Sequence, residues 1–371
     1  MIYADNAATT KLDMDAWEAM KPYLLEDYGN ASSPYSFARS AKKALKNARA
    51  VIASCIHALP EEIYFTSGGT ESDNWAIKGF LPYAGETVIT SRIEHHAILN
   101  ACAAIERFGC PVSYLEADRQ GMIHPQVLAK AITDRTKLVS VMLANNEIGT
   151  VEPAAELAQI AHEHGALFHT DAVSAVGHVP VHVAEMGIDL LSASGHKFHA
   201  PKGVGFLYIK KGTPIHSYAD GGAQEAGMRA GTENIASIAA MACALEKSCR
   251  KMEASTQRLH EMEQIFLNQL DSAGICYIRN GARRHIPGNI NISIKGADGE
   301  MLLHRLDLKG ICISTGSACD SAHARISHVI EAIGVPKEYA HGTVRISFGD
   351  DNAFDDAKAV ALAIADILSR K

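Results

Sequence analysis

Between residues 62 and 209 short apolar runs alternate with amphipathic stretches, and few architectures accept that order. The runs 62–65, 87–90, 112–115, 138–143, 167–169, 190–193 and 205–209 read as strands. The stretches 71–80, 97–108, 125–132 and 154–164 between them read as helices. Strictly alternating elements predict an α/β fold with a mixed, mostly parallel sheet flanked by helices. Ligands of such sheets bind outside the carboxyl ends of the strands. Asn146 and Asp171 fall at those ends, and Lys197 follows closely after one.

Helices are also expected over 14–26 and 37–58, and a long one over 232–270. Beyond it the pattern changes: strands 289–294, 311–313 and 344–348 are separated by helices 299–306 and 327–333, with a last helix over 355–368. This predicts a large domain over 15–255 and a smaller α+β domain made of 1–14 and 256–371. At 371 residues the chain is long enough for both.

The net charge of -7 leaves no basic footprint, so nucleic acid is not an expected partner. No apolar run approaches a membrane span and the first residues lack a signal-peptide pattern, so a cytoplasmic protein is expected. Cysteines at 55, 102, 110, 243, 249, 276, 312 and 319 form no CxxC pair, and in a reducing compartment most are expected to be buried thiols.

The chemistry is concentrated in 190–199, where an apolar strand runs through small residues to Gly195, His196 and Lys197. A buried lysine is costly as an ammonium, and burial that lowers its pKa frees the amine to attack carbonyls. Read alone, such a lysine is more often at the surface. Upstream, Thr66-Ser67-Gly68-Gly69-Thr70 links a strand to a helix, and backbone N–H groups there form an anion cradle suited to one phosphate ester. It is neither GxGxxG nor a Walker loop, and a bare Gly-Gly turn is often only a turn. An anion cradle, a strand-end carboxylate (Asp171) and a lysine together suggest pyridoxal phosphate, with His95 available to stack on the ring. His162/His164 and His178/His182 resemble metal-ligand pairs but lack matching partners, so no metal is expected.

The motifs at 66–74, 145–149, 169–172, 194–197, 231–234 and 316–319, in that order, resemble those of the cysteine desulfurases, pyridoxal phosphate enzymes of fold type I in the class V aminotransferase group. The resemblance runs from Asp5 to Arg345. It implies that Lys197 carries the cofactor as a Schiff base and shuttles protons, that Asp171 pairs with the pyridinium, and that His95 stacks and assists proton transfer. Gly69, Thr70, Ser194 and His196 would bind the phosphate, joined by Thr232 from a partner subunit of a homodimer. Asn146 would lie beside the ring hydroxyl and substrate, Asn30 near the substrate, and Arg345 would clamp the substrate carboxylate. Cys319 would take sulfur from L-cysteine as a persulfide, releasing L-alanine and passing sulfur to an acceptor or cluster-scaffold protein for iron–sulfur cluster or thiolated-nucleotide synthesis. Sixteen residues from Cys319 to Gly334 are similar to the long-loop subgroup.

Five positions depart from that pattern. Ser174 stands where glutamine usually bonds the ring hydroxyl, so that contact would pass through water or be lost. Tyr35 replaces a histidine, Ala226 replaces an arginine near the expected dimer interface, and Asp320 and Ile326 follow the thiol in place of a small hydroxyl residue and a proline. A carboxylate beside Cys319 should raise its pKa. Competing readings are a related lyase or aminotransferase acting on another amino acid, selenocysteine lyase included, and a non-catalytic cofactor-binding or sulfur-carrier scaffold.

Overall fold

The computed structural model describes residues 1–81, 85–315 and 326–369. Twelve strands occur among them: β1 Ile2–Tyr3, β2 Ile63–Thr66, β3 Thr87–Ser91, β4 Val112–Leu115, β5 Thr136–Ser140, β6 Leu167–Asp171, β7 Leu190–Ser194, β8 Gly205–Ile209, β9 Tyr277–Asn280, β10 Asn289–Ile294, β11 Ile311–Cys312 and β12 Thr343–Ser347. Seven form one sheet in the order β2-β8-β7-β6-β5-β3-β4. Only β8 runs antiparallel to its neighbours.

Neighbouring residues on each strand feed opposite faces, as the two-residue period requires. Leu191, Phe206, Tyr208, Val139 and Ile89 enter one core; Leu190, Leu207, Leu138 and Val88 enter the other with Trp75 and Ile98. Both faces are therefore apolar, which is why these strands read as continuous hydrophobic runs. A separate antiparallel sheet, β12-β10-β9, carries its own core of Ile290, Ile292, Val344, Ile346 and Phe266. Helix Ile235–Ser272 serves both: Ala240, Met241, Ala244 and Leu245 pack on the large sheet, and Leu259, Met262, Phe266 and Leu270 on the small one.

Two differences from the sequence reading have clear causes. The first helix is split into Met14–Met20 and Pro22–Leu25 at Lys21, because Pro22 has no N–H to continue the ladder. Strand β9 was not expected; its half-exposed residues carry little apolar pattern, and pairing with β10 holds it. The thiols are also less buried than expected. Cys102 and Cys110 are buried, Cys55, Cys243, Cys249 and Cys312 are half-buried, and Cys276 is exposed. Cys319 lies outside the described residues. No described helix is long and apolar enough to cross a membrane.

Candidate active site

A cavity of about 490 Å³ opens at the carboxyl ends of the central strands. Gly69, Thr70, His95, Asn146, Asp171, Ser174, Ser194, His196, Lys197 and Arg345 all line it. Asn30 and Thr232 do not; both are exposed elsewhere on this chain.

One wall is the start of helix Gly69–Lys78. Its first-turn N–H groups have no intrahelical acceptor and supply a positive end. Gly68 enters it at φ 148, a backbone setting that favours glycine. A Cβ on Gly69 would lie 2.5 Å from Val173 Cγ2 and 3.6 Å from Ser194 Cβ, so the chain approaches the cavity closely there. The helix start is fixed by Ser72, whose hydroxyl pairs with Thr66 Oγ1 at 2.8 Å and donates to the Phe206 carbonyl at 3.1 Å. His196 adds an imidazole whose Nδ1 pairs with Thr9 Oγ1 at 3.1 Å. Burial, then Lys197 and Lys202, lower its pKa to about 4, so it is a neutral ligand.

The opposite end is anionic. Asp171 closes β6 and is buried, its Oδ1 accepting from Val173 N–H at 2.9 Å. Burial raises its pKa, against the pull of that N–H and of Lys197. Lys197 ends the turn Gly195–Lys197 after β7 and donates from Nζ to the carbonyls of Ala7 and Ala8. Its own carbonyl accepts from His178 Nε2 at 2.9 Å, which fixes the turn.

His95 caps helix His96–Glu106, Nδ1 accepting from Ala97 N–H at 3.1 Å, so Nε2 carries the ring proton. Burial and then Lys197 lower its pKa to about 4, leaving a neutral ring against the cavity. Arg345 on β12 donates to Asp5 Oδ1 at 2.8 Å and to the Asn146 carbonyl at 3.0 Å. Its Nε is buried without a hydrogen-bond partner among the described residues.

These donors fit pyridoxal phosphate in three parts: an anion cradle, a carboxylate for a protonated pyridine nitrogen, and an amine for an aldehyde. The sequence reading missed Val173, Asp73 and Lys202, which line the same cavity. Asp73 lay inside the 66–74 motif, Val173 directly after the 169–172 motif, and Lys202 carried no signal. The histidine pairs are dispersed: His162 pairs with Asp189 at 2.7 Å, and His182 stacks on His57 at 3.7 Å. His260, Glu263 and His285 have ligand atoms within 4.8 Å of one another, but Arg279 already supplies a cation to that carboxylate.

The family model for class-V aminotransferases matches residues 2–360. A cysteine desulfurase IscS of Dictyoglomus turgidum is 49% identical over 352 residues, 94% of this chain and 89% of that protein. A putative cysteine desulfurase IscS 1 of Bacillus subtilis is 40% identical over 374 residues, covering 100% of this chain and 99% of that one. Among solved structures, a NifS-like protein superposes with a TM-score of 0.94 at 33% identity, over the whole of both chains. SspA in complex with cysteine does so with a TM-score of 0.83 at 33% identity, over 94% of this chain and 99% of that one. The fold is that of the fold-type I pyridoxal phosphate enzymes, and the chain belongs to the class-V aminotransferase family.

Proposed function

We propose that this chain is a pyridoxal phosphate-dependent cysteine desulfurase, converting L-cysteine to L-alanine and placing the sulfur on Cys319 as a persulfide. The observation that carries the reading is the meeting of Lys197 Nζ, the buried Asp171 carboxylate and the start of helix Gly69–Lys78 in one cavity. Relatives at 40% and 49% identity named cysteine desulfurases support it.

The bound cofactor supplies an electron sink for bonds at the substrate α-carbon. Gly69, Thr70, Ser194 and His196 hold its phosphate, and Asp171 keeps the ring nitrogen protonated. Neutral His95 packs on the ring and offers Nε2–H. Lys197 Nζ holds the aldehyde and then moves a proton at the substrate α-carbon. Arg345 binds the substrate carboxylate, with its orientation set by Asp5 and the Asn146 carbonyl. Asn146 and Ser174 would lie beside the ring hydroxyl, whereas Asn30, outside the cavity, is given no part in substrate binding. Cys319 attacks the substrate sulfur, forming S–S as C–S breaks.

The same reading places two copies together, with the exposed Thr232 of each reaching the other's phosphate site, in the cytoplasm, where a sulfur-acceptor or cluster-scaffold protein takes the persulfide sulfur. It takes 15–255 as the large domain and 1–14 with 256–371 as the small one. The test is alanine quantified from cofactor-loaded protein, L-cysteine and a thiol reductant, wild type beside Cys319→Ala. Alanine from wild type and almost none from the variant is expected. Equal alanine from both removes Cys319 from the mechanism, and none from either redirects the site to another amino acid, selenocysteine being the first to try.

A further inference from the structure

Asp73, in helix Gly69–Lys78, is buried against the central sheet and reaches the floor of the cavity. Its carboxylate, that of Asp171 and the His95 ring have polar atoms within 4.8 Å of one another. Ser192 makes a side-chain hydrogen bond to the Asp73 carboxyl, but its Oδ1 has no hydrogen-bond partner among the described residues. An ionised oxygen in that position would be poorly compensated by the protein around it, a costly arrangement for a buried group.

The neighbours offer it little positive charge. His169 Nε2 lies 3.9 Å from Asp73 Oδ1, but its ring is committed to Ser140 Oγ at 2.8 Å and Ser192 Oγ at 3.1 Å. Burial lowers the His169 pKa to about 3 and keeps it neutral. His95 is neutral as well, and Glu94, which also faces Asp73, is a further acid. Lys197 is the cation of this cluster, and its field acts on Asp171. Burial first, then the Asp171 charge, push the Asp73 carboxyl well above the usual range, against the pull of a hydrogen bond from Ser192. Two carboxyls this close hold one proton between them more readily than none.

We propose that Asp73 is a positioning residue of the cofactor site: it keeps a proton and donates it to Asp171, so that the two carboxyls act as a one-proton pair beneath the pyridine nitrogen. The negative charge then rests on Asp171, where the ring nitrogen needs it, and Asp73 both orients that carboxylate and spares the site a second buried charge. This rests on the pyridoxal phosphate reading above.

The infrared spectrum of the protein at neutral pH, wild type minus Asp73→Asn, tests the proton directly. A protonated-carboxyl band that is present in wild type and lost in the variant is expected; its absence from the difference spectrum overturns the proposal. A second measurement follows cofactor release from the loaded enzyme. Asp73→Leu, which cannot donate, is expected to weaken retention about tenfold, and Asp73→Asn, which can, to restore most of it. Equal loss in both, or in neither, with unchanged thermal melting, refutes the donor role. Wild type that takes up no pyridoxal phosphate refutes the cofactor reading instead, while the infrared band still decides the state of Asp73.

Discussion

Arg345 and Asp5, 340 residues apart in the chain, are joined by a 2.8 Å ion pair at the rim of the cavity. The guanidinium is almost fully buried and also tied to the Asn146 carbonyl at 3.0 Å, so its plane is set before any substrate arrives. Only a planar fork can hold both partners and still present donors to a carboxylate. Arg345→Lys is therefore expected to raise KM for L-cysteine by about tenfold or more, with a smaller change in kcat. Steady-state kinetics on the loaded enzyme check this.

Gly205 on β8 has no room for a side chain. A Cβ there would press on the Ala193 carbonyl and lie 2.7 Å from Gly68 Cα, both backbone atoms that cannot turn aside. Gly205→Ala is expected to cost about 1–3 kcal/mol of stability. Because Gly68 leads into the phosphate cradle, cofactor retention should fall with it. Thermal melting with and without pyridoxal phosphate separates the two effects.

Glu94 is buried beside the site, its Oε1 accepting from Ser91 Oγ at 2.6 Å and Met142 N–H at 3.0 Å. Burial, opposed by those two bonds and reinforced by the Asp171 and Glu152 charges, raises its pKa from 4.5 to about 8. The folded state thus binds this proton more tightly than the unfolded chain does. Its contribution to stability is complete below about pH 4.5 and is lost as pH rises to about 8. The loss approaches about 1.4 kcal/mol per pH unit inside that window. Glu94→Gln should lose less stability than wild type as pH rises through it, measured by denaturant titrations at several pH values.

Glu263 has the opposite sign. Burial would raise its pKa, but His285 at 2.8 Å, Gly288 N–H at 2.6 Å and Arg279 at 2.8 Å outweigh burial and hold it below 4.5. Its contribution is therefore present above that value and lost as pH falls through the folded pKa. Glu263→Gln is expected to cost about 3 kcal/mol at neutral pH, and the penalty should shrink on acidification. Chemical denaturation at neutral and acidic pH reads both.

Most of the large sheet was legible because its strands are apolar on both faces, as Leu190 and Leu191 show by entering different cores. The site was legible where a motif coincided with a strand end, as at Asp171 and Lys197. What stayed hidden depends on distant contacts. Asp73 is an ordinary polar residue of a helix until the sheet places Asp171 and His169 against it, and the Arg345–Asp5 pair joins opposite ends of the sequence. Strand β9 exists because β10 offers an edge, not because residues 277–280 alternate. Pro22 was visible and was passed over, because the apolar pattern continued beyond it.

Helix Ile235–Ser272 runs for 38 residues, about 57 Å at the usual rise. It acts as a common axle for the two cores, since each is riveted to one half of it. Swinging the small sheet about the large one would mean bending that rod or tearing side chains from one of its seats. The spacing between Lys197 on one side and Arg345 on the other is thereby gauged by a single stiff member.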